Sequence, residues 1–216
     1  MTKQSKIAIL VGLVAMAVFG GVLVYNNLTA PEPPDASERK NVTVRADSHK
    51  LSTAEDGKVT LVEFLDFECE ACRAAYPFIE QLREQYDGRV TFVLRYFPIP
   101  SHTNANNAAY AVESAARQGK LEDMYKRMYD TQGEWGESQD SKAALFRSFA
   151  EDLGLDMAQY DADVARPEVA ARVQKDVDDA TRLGVSGTPS FFLNSEPLTP
   201  ATTDDFVKAI DDALAK

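Results

Sequence analysis

The chain has 216 residues, which is enough for one domain of ordinary size or two small ones. Its 23 basic and 34 acidic residues give a formal net charge of −11. This balance argues against a nucleic-acid partner, because phosphate binding needs clustered Lys and Arg, and it favours solubility instead.

An uncharged apolar segment occupies residues 7–25, directly after two lysines. Its nineteen residues, at about 1.5 Å of rise each, can cross a hydrocarbon core of about 30 Å. No basic residue follows until Arg39, so the positive-inside rule predicts a cytoplasmic N-terminus at 1–6, a transmembrane anchor at 7–25 and an extracytoplasmic remainder. A cleaved signal peptide is the alternative, but its apolar region is usually shorter and ends at a small-x-small tripeptide.

The next predicted elements lead from a linker into a strand and a helix. The polar, proline-containing segment 26–41 predicts an extended linker between membrane and domain. Alternation in Asn-Val-Thr-Val-Arg at 41–45 predicts an edge strand, and the apolar run at 59–66 predicts a buried strand. Apolar residues at helical spacing then predict a helix from Glu70 to about Tyr86.

The rest of the chain alternates again between strands and helices. A second strand is predicted at 89–97, and because a helix joins it to the first strand, the two form a parallel βαβ unit. A long helical region follows at about 103–183. Short strands at 190–193 and around Leu198, and a helix from about Thr203, complete one α/β domain.

The only two cysteines form a single Cys-Glu-Ala-Cys at 69–72, where the first strand leads into the helix. A disulfide between them closes a very small loop and stabilises little. The helix N-terminus favours the thiolate of Cys69, and Cys72, one turn later, can resolve a mixed disulfide. A zinc site is the alternative, but zinc takes four ligands and the chain adds only His49 and His102. The spacing therefore predicts a redox-active disulfide and no metal site.

The segment Phe-Leu-Asp-Phe-Glu-Cys-Glu-Ala-Cys at 64–72 resembles the active-site segment of the DsbA-like, thioredoxin-fold oxidoreductases. Pro77 and the Gly-Thr-Pro at 187–189 match in position the helix proline and the cis-proline loop of that family. The helices between the second strand and this loop follow the DsbA-like order. The resemblance implies an α/β, thioredoxin-like fold at 42–216 with a helical insertion at about 103–183, preceded by one transmembrane helix.

The resemblance also implies site residues. Thr188 and Pro189 would form a cis-proline loop beside the cysteines, where the Thr188 backbone binds an extended substrate peptide; an ordinary turn is the alternative. Glu63 matches a buried carboxylate that moves protons during exchange, with a surface glutamate as the alternative. His102 is a candidate for contact with substrate or with Cys69, or else only a helix-entry residue.

The two residues between the cysteines depart from the family pattern. Many DsbA-like proteins carry Pro-His there, and this chain carries Glu70 and Ala71. Because Glu68 and Glu70 flank Cys69 and only Arg73 offsets them, we expect a less acidic thiol and a less oxidising disulfide than in the strongest family members.

The sequence therefore predicts a membrane-anchored, extracytoplasmic protein thiol–disulfide oxidoreductase that needs no cofactor. In the oxidising direction it would form disulfides in unfolded or reduced exported proteins, and the resemblance implies a quinone-linked membrane oxidase as redox partner. A reductase or isomerase of exported proteins is one alternative. A non-catalytic thioredoxin-fold holdase or docking module is another.

Overall fold

A computed structural model of the protein describes residues 34–216, so the predicted anchor at 7–25 lies outside the described residues. Within 34–216 there is no helix with the length and apolar character needed to cross a membrane. The elements, in chain order, are α1 (Ala36–Thr43), β1 (His49–Ser52), β2 (Val59–Leu65), α2 (Glu70–Gln85), β3 (Val90–Tyr96), α3 (Ala105–Ala116), α4 (Leu121–Trp135), α5 (Ala143–Asp152), α6 (Met157–Val164), α7 (Pro167–Arg182), β4 (Ser190–Leu193), β5 (Glu196–Leu198) and α8 (Thr203–Leu214).

The five strands form one sheet in the order β1-β3-β2-β4-β5. β2 and β3 run parallel, with Val59 opposite Val90 and Leu65 opposite Tyr96, and the other pairs are antiparallel. A parallel pair needs a crossover connection, and α2 supplies it. The predicted βαβ unit is confirmed, and the carboxyl end of the central strand β2 leads directly into the cysteine pair.

Alternating side chains of β2 pack on opposite faces of the sheet, as strand geometry requires. Leu61 packs with residues of α2 and α8 on one face, including Ile79. Phe64 packs on the other face with Ala180 of α7. The helices α3 to α7 lie between β3 and β4 in the chain, so the predicted helical insertion is confirmed to within two residues at each end.

The segment before β1 differs from its prediction. The expected extended linker ends in helix α1, and the alternating residues 41–45 do not form a strand; the edge strand is β1, paired antiparallel with β3. Asp35 caps α1 by accepting a hydrogen bond from the Glu38 amide at 2.8 Å. Glu38 also pairs with Arg182 of α7, so contacts distant in sequence stabilise a helix that local alternation does not indicate.

A buried ion network ties β3 to α7 and to the C-terminal end of α1. The Arg95 side chain is fully buried and contacts Asp176 at 2.7 Å and Asp179 at 2.7 Å. Its guanidinium also donates to the carbonyls of Val42 at 2.9 Å and Thr43 at 2.7 Å. The network fixes the N-terminal segment of the domain on the face of the sheet that α7 covers.

Candidate active site

Cys69 is the N-cap residue of α2, and Cys72 lies in its first turn. The chain leaves β2 through a tight turn in which the Cys69 amide donates to the Asp66 carbonyl at 3.1 Å. Both cysteines are free thiols; Cys69 is 9% exposed and Cys72 is 1% exposed. The outer thiol is therefore the one that a substrate can reach.

Hydrogen bonds lower the pKa of the Cys69 thiol from 9.0 to about 5. The hydrogen bond with the Cys72 side chain is the largest cause; burial opposes it, and Thr188 and the backbone amides of Cys72 and Ala71 contribute further. The value lies between the roughly 7 of thioredoxin and the roughly 3.5 of DsbA. The expected effect of the flanking glutamates stays a prediction, because hydrogen bonds rather than these glutamates are the main causes of the shift.

Cys72 has the opposite character, because burial raises the pKa of its thiol above the ordinary value. The hydrogen bond to Cys69 and the charge of Glu63 raise the pKa further. At neutral pH Cys69 is therefore a thiolate while Cys72 keeps its proton. This asymmetry suits one cysteine to nucleophilic attack and the other to later resolution.

The Thr188–Pro189 peptide bond is cis, as predicted from Gly-Thr-Pro. Cys69 Sγ lies 3.4 Å from the Thr188 carbonyl oxygen, to which the protonated thiol donates, so the loop lies directly beside the nucleophile. A groove of about 460 Å³ begins at Pro189 and follows β4 and β5. Its apolar lining includes Leu183, Val185, Phe191, Phe192 and Leu198.

Glu63 lies in the middle of β2, opposite Leu94 of β3 and Phe191 of β4, and is 7% exposed. The predicted burial of this carboxylate is confirmed. Burial raises its pKa to about 8, and the charges of Cys69 and Glu80 add to the shift. The Glu63 side chain is therefore close enough to both cysteines to influence their ionisation, and it holds a proton at neutral pH.

His102 lines an open groove of about 430 Å³ together with Cys69. Its Nδ1 lies 2.6 Å from Asp66 Oδ2, so the imidazole bonds to a buried carboxylate rather than to the cysteine. Glu68, Glu70 and Glu137 also line this groove, and they give its surface an acidic character.

The site therefore combines four features: a strand–turn–helix, a buried carboxylate in the strand, a Cys-x-x-Cys pair at the turn and a cis-proline beside the pair. A family model described as thioredoxin matches residues 52–212. The chain belongs to the thioredoxin family. The thioredoxin fold is also shared with solved structures. A thioredoxin-like oxidoreductase of Silicibacter pomeroyi aligns with a TM-score of 0.67 and 28% identity, over 82% of this chain and 98% of that one.

DsbA-like proteins are among the structural neighbours of this thioredoxin domain. The thiol-disulfide exchange protein α-DsbA2 of Wolbachia pipientis aligns with a TM-score of 0.68 and 21% identity, over 82% of this chain and 92% of that one. At that identity the likeness shows the fold alone. The predicted α/β thioredoxin-like fold with a helical insertion is confirmed.

Curated relatives carry a different name. The Na⁺/H⁺ antiporter NhaA 1 of Mycolicibacterium vanbaalenii is 32% identical over 198 residues, which is 88% of this chain and 30% of that protein. The chain thus spans about 30% of that relative's length, and the antiporter name describes the whole of that larger protein. The thioredoxin model accounts for most of the chain, so we carry no transport activity over from the name.

Asp66 is a site residue of this thioredoxin domain that sequence reasoning missed. Its carboxylate accepts hydrogen bonds from the backbone amides of Glu68 at 2.8 Å and Ile99 at 2.9 Å, and also pairs with the imidazole Nδ1 of His102. Burial raises the pKa of Asp66, and these three donors act in the opposite direction. A carboxylate directly after a buried apolar strand was the signal that could have identified it.

Two further side chains connect the cysteine turn to the helical insertion. Glu68 accepts a hydrogen bond from the Asn104 amide at 2.6 Å, at the start of α3. Gln132 of α4 donates its amide to the carbonyls of Phe67 at 2.6 Å and Cys69 at 2.9 Å. The insertion therefore holds the turn that presents Cys69, and no local pattern around Gln132 indicates this role.

A Glu63→Gln substitution is expected to stabilise the folded protein increasingly as the pH rises. The folded-state pKa of Glu63 is raised from 4.5 to about 8, so its contribution to wild-type stability is present below 4.5 and is lost as the pH rises through 8. Glutamine does not titrate. The gain over wild type in urea unfolding should therefore be absent near pH 4 and reach about 5 kcal/mol above pH 8, at about 1.4 kcal/mol for each pH unit between the two pKa values. A gain independent of pH would contradict the raised pKa.

Proposed function

We propose that this protein is an extracytoplasmic thiol–disulfide oxidoreductase that forms disulfides in exported proteins. The supporting observation is the asymmetric cysteine pair: Cys69, with a pKa of about 5, lies at the helix N-terminus against the Thr188 carbonyl, and Cys72 is buried behind it. A thiolate stabilised in the reduced protein makes the corresponding disulfide more readily reduced, and therefore oxidising toward substrates.

The exchange proceeds in two steps. A thiolate of the substrate attacks Cys69 Sγ, the Cys69–Cys72 bond breaks, and Cys72 leaves with the electron pair and takes a proton. Glu63, which carries a proton at neutral pH, is the nearby buried acid that supplies it. A second substrate thiolate then attacks the substrate sulfur of the mixed disulfide and releases Cys69 as the thiolate.

Backbone pairing positions the substrate during these steps. The Thr188 carbonyl, beside Cys69, offers a hydrogen-bond acceptor to an extended peptide, and the apolar groove from Pro189 along β4 accepts its side chains. Main-chain recognition of this kind tolerates many sequences, which suits an enzyme acting on diverse unfolded proteins.

The proposal places the domain outside the cytoplasm, on a membrane anchor at residues 7–25. The supporting observation is the uncharged apolar sequence there, preceded by lysines. A redox-active disulfide persists in such an oxidising compartment. Reoxidation of the cysteine pair requires an electron acceptor, and we propose a quinone-linked membrane oxidase, as in the DsbA-like proteins that the chain resembles.

The redox state of the pair in growing cells tests the direction of electron flow. Acid quenching followed by alkylation of free thiols should show Cys69 and Cys72 mostly as a disulfide, which the alkylating reagent does not modify. The Cys69→Ser, Cys72→Ser double variant has no thiol to alkylate, so it marks the position of unmodified protein on the gel. A mostly reduced pair would contradict the oxidase and favour the alternative, a reductase or isomerase of exported proteins.

A further inference from the structure

The chain has two histidines, and each lies against a buried carboxylate. His102 Nδ1 is 2.6 Å from Asp66 Oδ2, and His49 Nε2 is 2.6 Å from Glu113 Oε2. Only His102 also lines the groove that contains Cys69. The two pairs therefore share their contact chemistry and differ in position, since one borders the reacting sulfur and the other does not.

The hydrogen bonds around Asp66 define which imidazole nitrogen carries the proton. Asp66 already accepts from the backbone amides of Glu68 and Ile99, and its Oδ2 is shared between Ile99 and His102. A carboxylate in this setting offers only acceptors, so Nδ1–H of His102 donates to it. In the neutral ring Nε2 then carries a lone pair, and the His102 side chain, which is 32% exposed, lines the same groove as Cys69.

The exchange reaction consumes a thiolate, and a base at this place would increase its supply. An ordinary cysteine thiol has a pKa of about 8.5, so only about 3% of substrate thiol is ionised near pH 7. The other ionisable side chains that line the groove are Cys69, which is bonded within the disulfide, and the carboxylates of Glu68, Glu70 and Glu137. Carboxylates are ordinarily far weaker bases than imidazole, and Glu63 is buried beneath the pair with its proton in place.

We propose that His102, oriented by Asp66, is the general base that deprotonates the substrate thiol. This inference rests on the proposed function. Nε2 of His102 takes the proton from the substrate S–H as its sulfur attacks Cys69 Sγ, and the Cys69–Cys72 bond breaks with its electron pair moving to Cys72. The imidazolium then returns its proton to water. His102 is a catalytic residue in this step, and Asp66 is a positioning residue.

The test measures how fast thiols reduce the disulfide of the full-length oxidised protein. In His102→Asn the side-chain amide replaces Nδ1 as the donor to Asp66, so the contact is kept and the base is removed. His49→Gln is the matched control, because its side-chain amide replaces Nε2 in the equivalent contact with Glu113 away from the cysteines. Each is assayed with N-acetylcysteine, an aliphatic thiol, and with nitrothiobenzoate, an aromatic thiol that is ionised without a base.

His102→Asn should slow reduction by N-acetylcysteine about tenfold near pH 7, and the difference should vanish as the pH rises past about 9, where the thiol ionises unaided. Its rate with nitrothiobenzoate should equal that of wild type, and His49→Gln should match wild type with both thiols. The equilibrium constant with glutathione should not change, because a general base changes the rate alone.

Other outcomes overturn the inference. Equal slowing with both thiols, or a shifted equilibrium constant, would show that His102 acts on the Cys69 thiolate or on the fold instead. Unchanged rates with both thiols would show that it takes no part in the exchange. If the wild-type disulfide reacts with neither thiol, the proposed function itself fails, and the role of His102 fails with it.

Discussion

A Cys72→Ser variant is expected to accumulate covalent mixed disulfides between Cys69 and its protein substrates. Cys69 has the low pKa and the less buried sulfur, so its thiolate attacks a disulfide of a substrate protein and one substrate sulfur leaves with the electron pair. The missing Cys72 thiol can no longer displace the substrate that stays bound. Serine is the informative replacement, because its hydroxyl can still donate a hydrogen bond to the Cys69 thiolate. Catalytic turnover should be lost completely while capture continues.

The trapped species are measured on non-reducing gels and identified by mass spectrometry after elution with a reductant. Cys69→Ser is the matched control, and it should capture nothing, since Cys72 is buried and keeps its proton at neutral pH. A non-catalytic holdase or docking module would give no adducts with either variant. Equal capture by the two variants would show that the assigned roles of the cysteines are wrong.

An Arg95→Met substitution is expected to destabilise the folded protein by about 3 kcal/mol or more, without touching the active site. Arg95 is fully buried, and its removal leaves Asp176 and Asp179 with less compensating charge and the carbonyls of Val42 and Thr43 without their donor. Breaking one side of a buried ion pair costs about 3–5 kcal/mol. Arg172 also contacts Asp176 and still compensates part of its charge, so we expect a loss of stability toward the lower end of this range.

Urea unfolding of the purified protein measures this loss as a lowered midpoint at constant slope. Arg147→Met is the matched control, because Arg147 forms a two-point contact with Asp161 on the exposed surface of the insertion, and its loss should change stability little. Similar small effects from both substitutions would show that the Arg95 network is not required for the fold.

Much of the active site could be predicted from sequence, because its main features are local. The apolar run of β2, the cysteines one helical turn apart and the Gly-Thr-Pro before β4 are encoded by neighbouring residues, and the structure confirms each of them. The burial of Glu63 followed from the family resemblance, since strand alternation by itself left a surface glutamate open, and the structure buries the side chain.

Prediction failed where contacts distant in sequence decide the outcome. Helix α1 forms in a segment that looked extended, and its end is held by a contact distant in sequence, since the buried Arg95 of β3 donates to the carbonyls of Val42 and Thr43. The support of the cysteine turn by Gln132 likewise depends on packing of the helical insertion against the β2–α2 turn. Neither contact leaves a periodic or local signal in the sequence.

The sequence by itself determined the redox pair, its place between strand and helix and the family, because each depends on residues close together in the chain. Tertiary structure decided how the pair is tuned. The flanking glutamates predicted a Cys69 thiol less acidic than in the strongest family members, and its pKa follows mainly from hydrogen bonds that only the folded chain assembles. His102, similarly, became a specific hypothesis only when folding placed Asp66 behind its ring and Cys69 in the same groove.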